Sequence, residues 1–187
     1  MSAKFYGYKR PDFNELKKFE YLLTHIESAA IFLNEHFINK EVIYSTNHES
    51  ISLIFKRSNF MHLCGIQYSE GASEFFNLAL IKQIDLSKIF IKKDGTTFQK
   101  LSVLSSINSL VSPDITLTEG AFYLNLSFDK ALKTRKKIFA LTLVNDDNKF
   151  VPQSLLNLKF MNNFPNGNKV TSIRSIHLQD STETIYL

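Results

Sequence analysis

The chain has 187 residues, of which 44% are hydrophobic and 21% charged. That is enough apolar surface to offset the entropy of ordering, which excludes disorder over most of the length and predicts one domain over residues 1–187. The formal charge, 22 − 18 = +4, is mildly basic and compatible with a nucleic-acid partner. A single cysteine, Cys64, rules out an internal disulfide and suits a reducing compartment such as the cytoplasm. No run of about 18 apolar residues is long enough to cross a membrane. The start, Met1 to Arg10, mixes Lys4, Lys9 and Arg10 with aromatics and has no apolar leader pattern.

The first third, residues 11–40, reads as helical. Phe13, Leu16, Phe19, Leu23, Ile26, Ala30, Leu33 and Phe37 recur at spacings of three and four, a single helical stripe that continues past Thr24. Pro11 suits a first turn, and Asp12 offers a capping oxygen. Val42–Thr46 and Ile51–Arg57 flank the polar turn Asn47-His48-Glu49-Ser50 and predict a hairpin. A loop or short element follows at Asn59–Ile66, then a helix over Ala72–Ile81. Asp94-Gly95 is a turn signal. Beyond it, Thr96 with Gln99 fits a capping box for a helix running from Thr97 to Val111, stopped by Pro113.

From Asp114 the pattern turns to strands: Ile115–Leu117, the alternating run Phe122-Leu124-Leu126-Phe128, Ile138–Val144 and Val170–Leu178. Ser154–Phe160 suits helix or strand, and Asn166-Gly167 marks a turn. The expected class is α+β, a long N-terminal helix and further helices packed on a small, mainly antiparallel sheet.

Five groups carry possible chemistry. His62 can take or give a proton near neutral pH, or it can pin the Leu63–Ile66 turn through a backbone carbonyl. Thr96, Thr97 and Lys100 open one helix, where hydroxyls, an ammonium and free N–H groups suit a phosphate; an ordinary capped helix with a solvated lysine explains them equally. Lys130, Lys133, Arg135, Lys136 and Lys137 place five cations within eight positions, either a phosphate-contacting patch or a solvated turn, and Lys56-Arg57 or Lys92-Lys93 would extend it. Ser154 after Pro152 could meet a phosphate oxygen or cap a short helix. Cys64, in apolar company, reads as a small buried side chain. No histidine pairs at i, i+4 with another ligand, so neither metal nor other cofactor is expected. Absence of a P-loop, a G-x-S-x-G elbow or a dinucleotide fingerprint argues against the common NTPase, hydrolase and dehydrogenase classes.

Three segments, taken in order, resemble a known family. They are Asn59-Phe60-Met61-His62-Leu63-Cys64-Gly65-Ile66, then Gly95-Thr96-Thr97-Phe98-Gln99-Lys100-Leu101, then Phe150-Val151-Pro152-Gln153-Ser154-Leu155-Leu156. Together they are similar to the phage- and mobile-element-associated barnase–EndoU–colicin–RelE-like (BECR) nucleases, over a core of about residues 42–178. The resemblance implies helices preceding a small antiparallel sheet that binds RNA, metal-independent RNA cleavage, and a toxin or defence role. His62, Lys100 and Ser154 match the motif positions. Cys64 stands where a small or hydroxyl residue is expected, and no second histidine completes an acid–base pair. The implied mechanism has His62 as base, with Lys100 and Arg135 stabilising phosphate charge and Thr96, Thr97, Lys133, Lys136, Lys137 and Ser154 holding substrate. Two alternatives stand beside it: a non-catalytic phage protein that inhibits a host nucleic-acid machine, and a toxin held by an antitoxin partner.

Overall fold

The computed structural model describes residues 5–123, 125–159 and 163–187. Leu124 of the alternating run, Phe160 at the end of Ser154–Phe160, and Met1 to Lys4 lie outside the described residues. The first helix, α1 (Phe13–His36), is unbroken across Thr24. Asp12 caps it reciprocally with Glu15: the Asp12 carboxylate accepts from the Glu15 N–H at 3.0 Å, and the Glu15 carboxylate accepts from the Asp12 N–H at 2.9 Å. The buried stripe is Phe19, Leu22, Ile26, Ala29, Ala30 and Leu33. Phe13 is exposed and Leu23 only half buried, so the stripe begins later and sits slightly rotated from the expected one. Leu22, three residues after Phe19 and four before Ile26, takes the core side of that turn in place of Leu23.

The expected hairpin is present as β2 (Lys40–Ser45) and β3 (Ser50–Ile54), following a short β1 (Tyr8–Lys9). Asn59–Ile66 is mostly helix: α2 spans Arg57–Cys64, with the Asn59 side chain accepting from the Lys56 N–H at 2.7 Å. Gly65 ends it in the left-handed region at φ 68°. After β4 (Ile66–Tyr68), α3 (Ala72–Leu80) lies where the sequence placed it. β5 (Ile89–Lys92) joins β1 and β4 in an antiparallel three-stranded sheet, order β1-β5-β4, that the sequence did not signal.

The helix expected from Thr97 to Val111 is two pieces. α4 covers only Thr96–Leu101, and a 3₁₀ segment covers Leu104–Val111. The Thr96/Gln99 capping box does not form. Gly95, at φ 79°, is the cap residue, and the Asp94 carboxylate accepts from the Thr96 N–H at 3.0 Å and hydroxyl at 2.7 Å. Tighter 3₁₀ turns seat Leu104, Ile107 and Leu110 in the core at spacing three, where a continuing α-helix would rotate them away.

The second half is β6 (Ile115–Tyr123), β7 (Leu126–Thr134), β8 (Phe139–Asp146), β9 (Lys149–Asn157), β10 (Asn168–Lys169), β11 (Ser172–His177) and β12 (Glu183–Ile185). The large sheet runs β10-β6-β7-β8-β9-β3-β2-β11-β12 and is antiparallel except where β3 meets β9. Nine strands correct the expectation of a small sheet. The early hairpin β2–β3 slots into the late strands, so both halves of the chain build one layer. Leu117, Leu132, Leu141 and Leu155 join the core that also holds α1 residues, whereas Ala131 and Ala140 join a smaller cluster with Phe128, Leu158 and Phe164. Pro152 sits in β9 because the register slips there: Thr142 pairs with Ser154 and Leu143 with Pro152, leaving Gln153 as the bulged residue.

Candidate active site

The C-terminal end of α2, the short α4 and the bulge of β9 meet around one side chain, Lys100. It is 7% exposed. Its ammonium donates to Ser154 Oγ at 3.0 Å and to the His62 carbonyl at 3.3 Å. No carboxylate is ion-paired with it among the described residues. Burial, with help from the Lys92 charge, pulls its pKa down to about 8. A buried lysine of this kind is costly, and what offsets the cost is the His62 carbonyl at the negative end of α2 together with the Ser154 hydroxyl. Gly65 makes the approach possible: a Cβ there would stand 3.0 Å from Lys100 Cδ and 3.3 Å from Thr97 Cα.

His62 stands in the last turn of α2, directly above. The sequence placed it in a loop or short element before the Leu63–Ile66 turn. The helix instead fixes its backbone, and the αL Gly65 cap accounts for the turn that the sequence saw. The residue is exposed, but at the cleft it loses enough hydration to lower the imidazole pKa below its usual 6.5. The ammoniums of Lys100 and Lys92 push the same way, partly countered by a hydrogen bond to the Gln153 backbone. At pH 7 the ring is therefore neutral and able to accept a proton.

These groups line a cleft of about 340 Å³, together with Lys92, Thr96, Gln99, Asn125, Gln153 and Asn157. No aspartate or glutamate is among its lining residues. His62, Lys100, Ser154 and Thr96 are thus brought together from three segments, α2, α4 and β9. The Thr96 hydroxyl is already donated to Asp94. Thr97 is fully buried and ties elements to one another, its hydroxyl donating to the Gly65 carbonyl and accepting from the Lys92 N–H at 2.9 Å. Ser154 is a strand residue at the bulge, not a helix cap.

The basic cluster lies elsewhere. Lys130 is neutralised by Glu49 at 2.7 Å and Glu119 at 2.9 Å. Lys133 is 5% exposed and donates to the Pro165 carbonyl at 2.7 Å. Arg135, Lys136 and Lys137 are exposed in the turn between β7 and β8, outside the residues that line the cleft. Among the residues that do line it, the amides of Gln99, Asn125, Gln153 and Asn157 had no chemical signal in the sequence. Only Pro152 hinted at the bulge that aims Gln153 and Ser154. Buried Cys64, its thiol pKa pushed above the usual range by burial, is no nucleophile.

What this arrangement can hold is an anion with polar flanks. Two ammoniums and a neutral imidazole face a space without acid groups, while amides and a hydroxyl offer hydrogen bonds. Lysine, amide and single-imidazole donors are poor ligands for a divalent cation, and no group of three His, Cys, Asp or Glu side chains gathers among the described residues. Fold and cleft define an α+β protein with an imidazole–ammonium site. The family model described as phage-Barnase-EndoU-ColicinE5/D-RelE like nuclease4 matches residues 25–186, and the chain belongs to that family. The match covers His62, Lys100 and Ser154 and begins within α1. Comparison with curated proteins and with solved structures gave no match. No helix of the described residues is long and apolar enough to cross a membrane.

Proposed function

We propose that the protein cleaves single-stranded RNA without a metal, as a toxin or a defence or counter-defence protein of a phage or mobile element acting in the bacterial cytoplasm. The observation that carries this reading is the pairing of neutral His62 with a buried, acid-free Lys100 in one cleft. His62 takes the proton of a ribose 2′-hydroxyl. The 2′-oxygen attacks the adjacent phosphorus, the bond to the 5′-oxygen breaks, and that oxygen takes a proton from solvent water while His62 returns its own to solvent, so the products are a 2′,3′-cyclic phosphate and a 5′-hydroxyl end. Lys100 meets the charge that grows on the phosphate oxygens, in a desolvated place where such a charge is worth most. Ser154, accepting from Lys100, keeps its own hydroxyl hydrogen for the phosphate. Lys92 and the amides hold the flanking groups, and Arg135, Lys136 and Lys137 contact only a longer substrate.

His62→Ala tests the reading. Loss of the base lowers the cleavage rate of an RNA oligonucleotide by about 10²–10⁴-fold, while RNA affinity and melting temperature stay close to those of the parent. The parent's products carry cyclic phosphate by mass spectrometry, and a chelator leaves its rate unchanged. A parent that leaves RNA intact, or a variant that cleaves as well as the parent, refutes it.

A further inference from the structure

Beside the His62 cleft lies a second depression of about 520 Å³, and Gln99 and Asn157 form part of the wall of both. The two depressions adjoin at these side chains and are together termed the groove. Its outer part is walled by Lys18 and Tyr21 of α1 and by Phe98 of α4, and no carboxylate is among its lining residues. Tyr21 is 79% exposed, so most of its ring is open to a ligand. The Lys18 ammonium rests over the Phe98 ring, 4.6 Å from its centre, which holds a cation at the groove floor. The neighbouring Lys17 sits in the same way over exposed Phe13, about one turn earlier on α1, at 4.4 Å. Phe13, Lys17 and Tyr21 recur every four residues, so the helix shows a ladder of alternating ring and ammonium along one face.

A face-open aromatic next to an unneutralised lysine is what a base and its neighbouring phosphate require: the ring stacks on any base, and the ammonium meets the backbone. We propose that Tyr21 and Lys18 form a nucleotide subsite that stacks the base next to the scissile bond and binds its phosphate. The proposal rests on the RNA-cleaving reading above.

The experiment is fluorescence anisotropy with a labelled single-stranded RNA 12-mer, in the uncleaving His62→Ala background and at two salt concentrations. Tyr21→Ala weakens binding by roughly tenfold, the scale of one lost base–aromatic stack, and Tyr21→Phe restores it because the ring suffices. Lys18→Ala weakens binding and lowers the salt slope by about 0.7. Tyr6→Ala, which removes a still more exposed ring that is not among the groove's lining residues, binds like the parent. Equal affinity for Tyr21→Ala and the parent, in a protein whose unmutated form cleaves RNA, removes the subsite and leaves the function standing. No RNA binding or cleavage by the unmutated protein overturns both. Failure of Tyr21→Phe to restore affinity also overturns the subsite, since stacking needs no hydroxyl.

Discussion

The segment Lys130–Lys137 holds five cations within eight positions; the cleft under α2 holds two lysines and a histidine. By count the first is the stronger electrostatic feature. In the fold the ranking reverses. Lys130 is matched by two glutamates, Lys133 is spent on a backbone carbonyl, and the remaining three are exposed in water, where the field of a charge is screened within about 8–10 Å. Lys100 has no acid partner and little water. A charge acts on a ligand in proportion to what has not already neutralised it, so burial and pairing decide more than number.

The two buried lysines make the sharpest contrast. Lys100→Met, which keeps the volume and removes the charge, lowers RNA cleavage by about 10²–10³-fold, as loss of a preorganised donor to developing phosphate charge does. It leaves stability equal or higher, because a desolvated ammonium has been removed. Lys133→Met does the opposite: cleavage of a short oligonucleotide holds, while the orphaned Pro165 carbonyl costs roughly 1–3 kcal/mol. Cleavage rates and thermal melts of both variants check this, and a Lys133→Met protein that folds but no longer cleaves would return the sheet lysine to the site.

Titration sharpens the same comparison. On the proposed mechanism His62 acts neutral and Lys100 charged, so kcat/KM should rise through a pKa below 6.5 and fall again through about 8. In Lys100→Met the residual activity loses its alkaline limb. Stability carries a second signature. The pKa of Lys100 is about 8 when folded against an ordinary 10.5, so the unfolded chain binds the extra proton between those values. Below about pH 8 folding therefore bears a penalty of about 3 kcal/mol, which lifts as pH rises towards 10.5. The melting temperature of wild type accordingly closes on that of Lys100→Met across this window. A constant gap would mean that the lysine is solvated.

Periodicity carried the elements whose own sequence decides them. The α1 stripe with Asp12 and Glu15, and the β2–β3 hairpin, needed no distant partner to be recognised. What stayed hidden depends on partners far along the chain. The short strands β1, β4 and β5 make sense only as a trio, and β9 reads as a strand only once its bulge absorbs Pro152. The Thr97–Val111 helix breaks after Leu101 because the core takes Leu104, Ile107 and Leu110 at a tighter pitch. The site divides likewise. His62, Lys100 and Ser154 could be named from three short motifs, but the contacts of Lys100 reach 38 and 54 residues along the chain. No local pattern encodes such closeness. Nor did anything local separate Lys133, with its carbonyl, from Lys100, with its cleft.

Substrate length gives the smallest effect and the finest division between the two regions. Lys92 lines the cleft, so Lys92→Ala should lower the salt slope of binding by about 0.7 even on a short single-stranded RNA. The β7–β8 turn lies one step further off. Asn157, in the wall of the groove, pairs with Phe139, and the Leu158 N–H donates to the Ile138 carbonyl at 2.9 Å, so Arg135, Lys136 and Lys137 stand just past the groove's end. Alanine at all three positions should leave the slope on a short oligonucleotide where it was. On an RNA long enough to leave the groove, each cation that meets a phosphate then adds about 0.7 to the slope, and the triple variant loses it. Binding isotherms at several salt concentrations with two RNA lengths separate the cases. If the short RNA also loses slope, the turn belongs to the active site; if neither does, its cations are solvated charge alone.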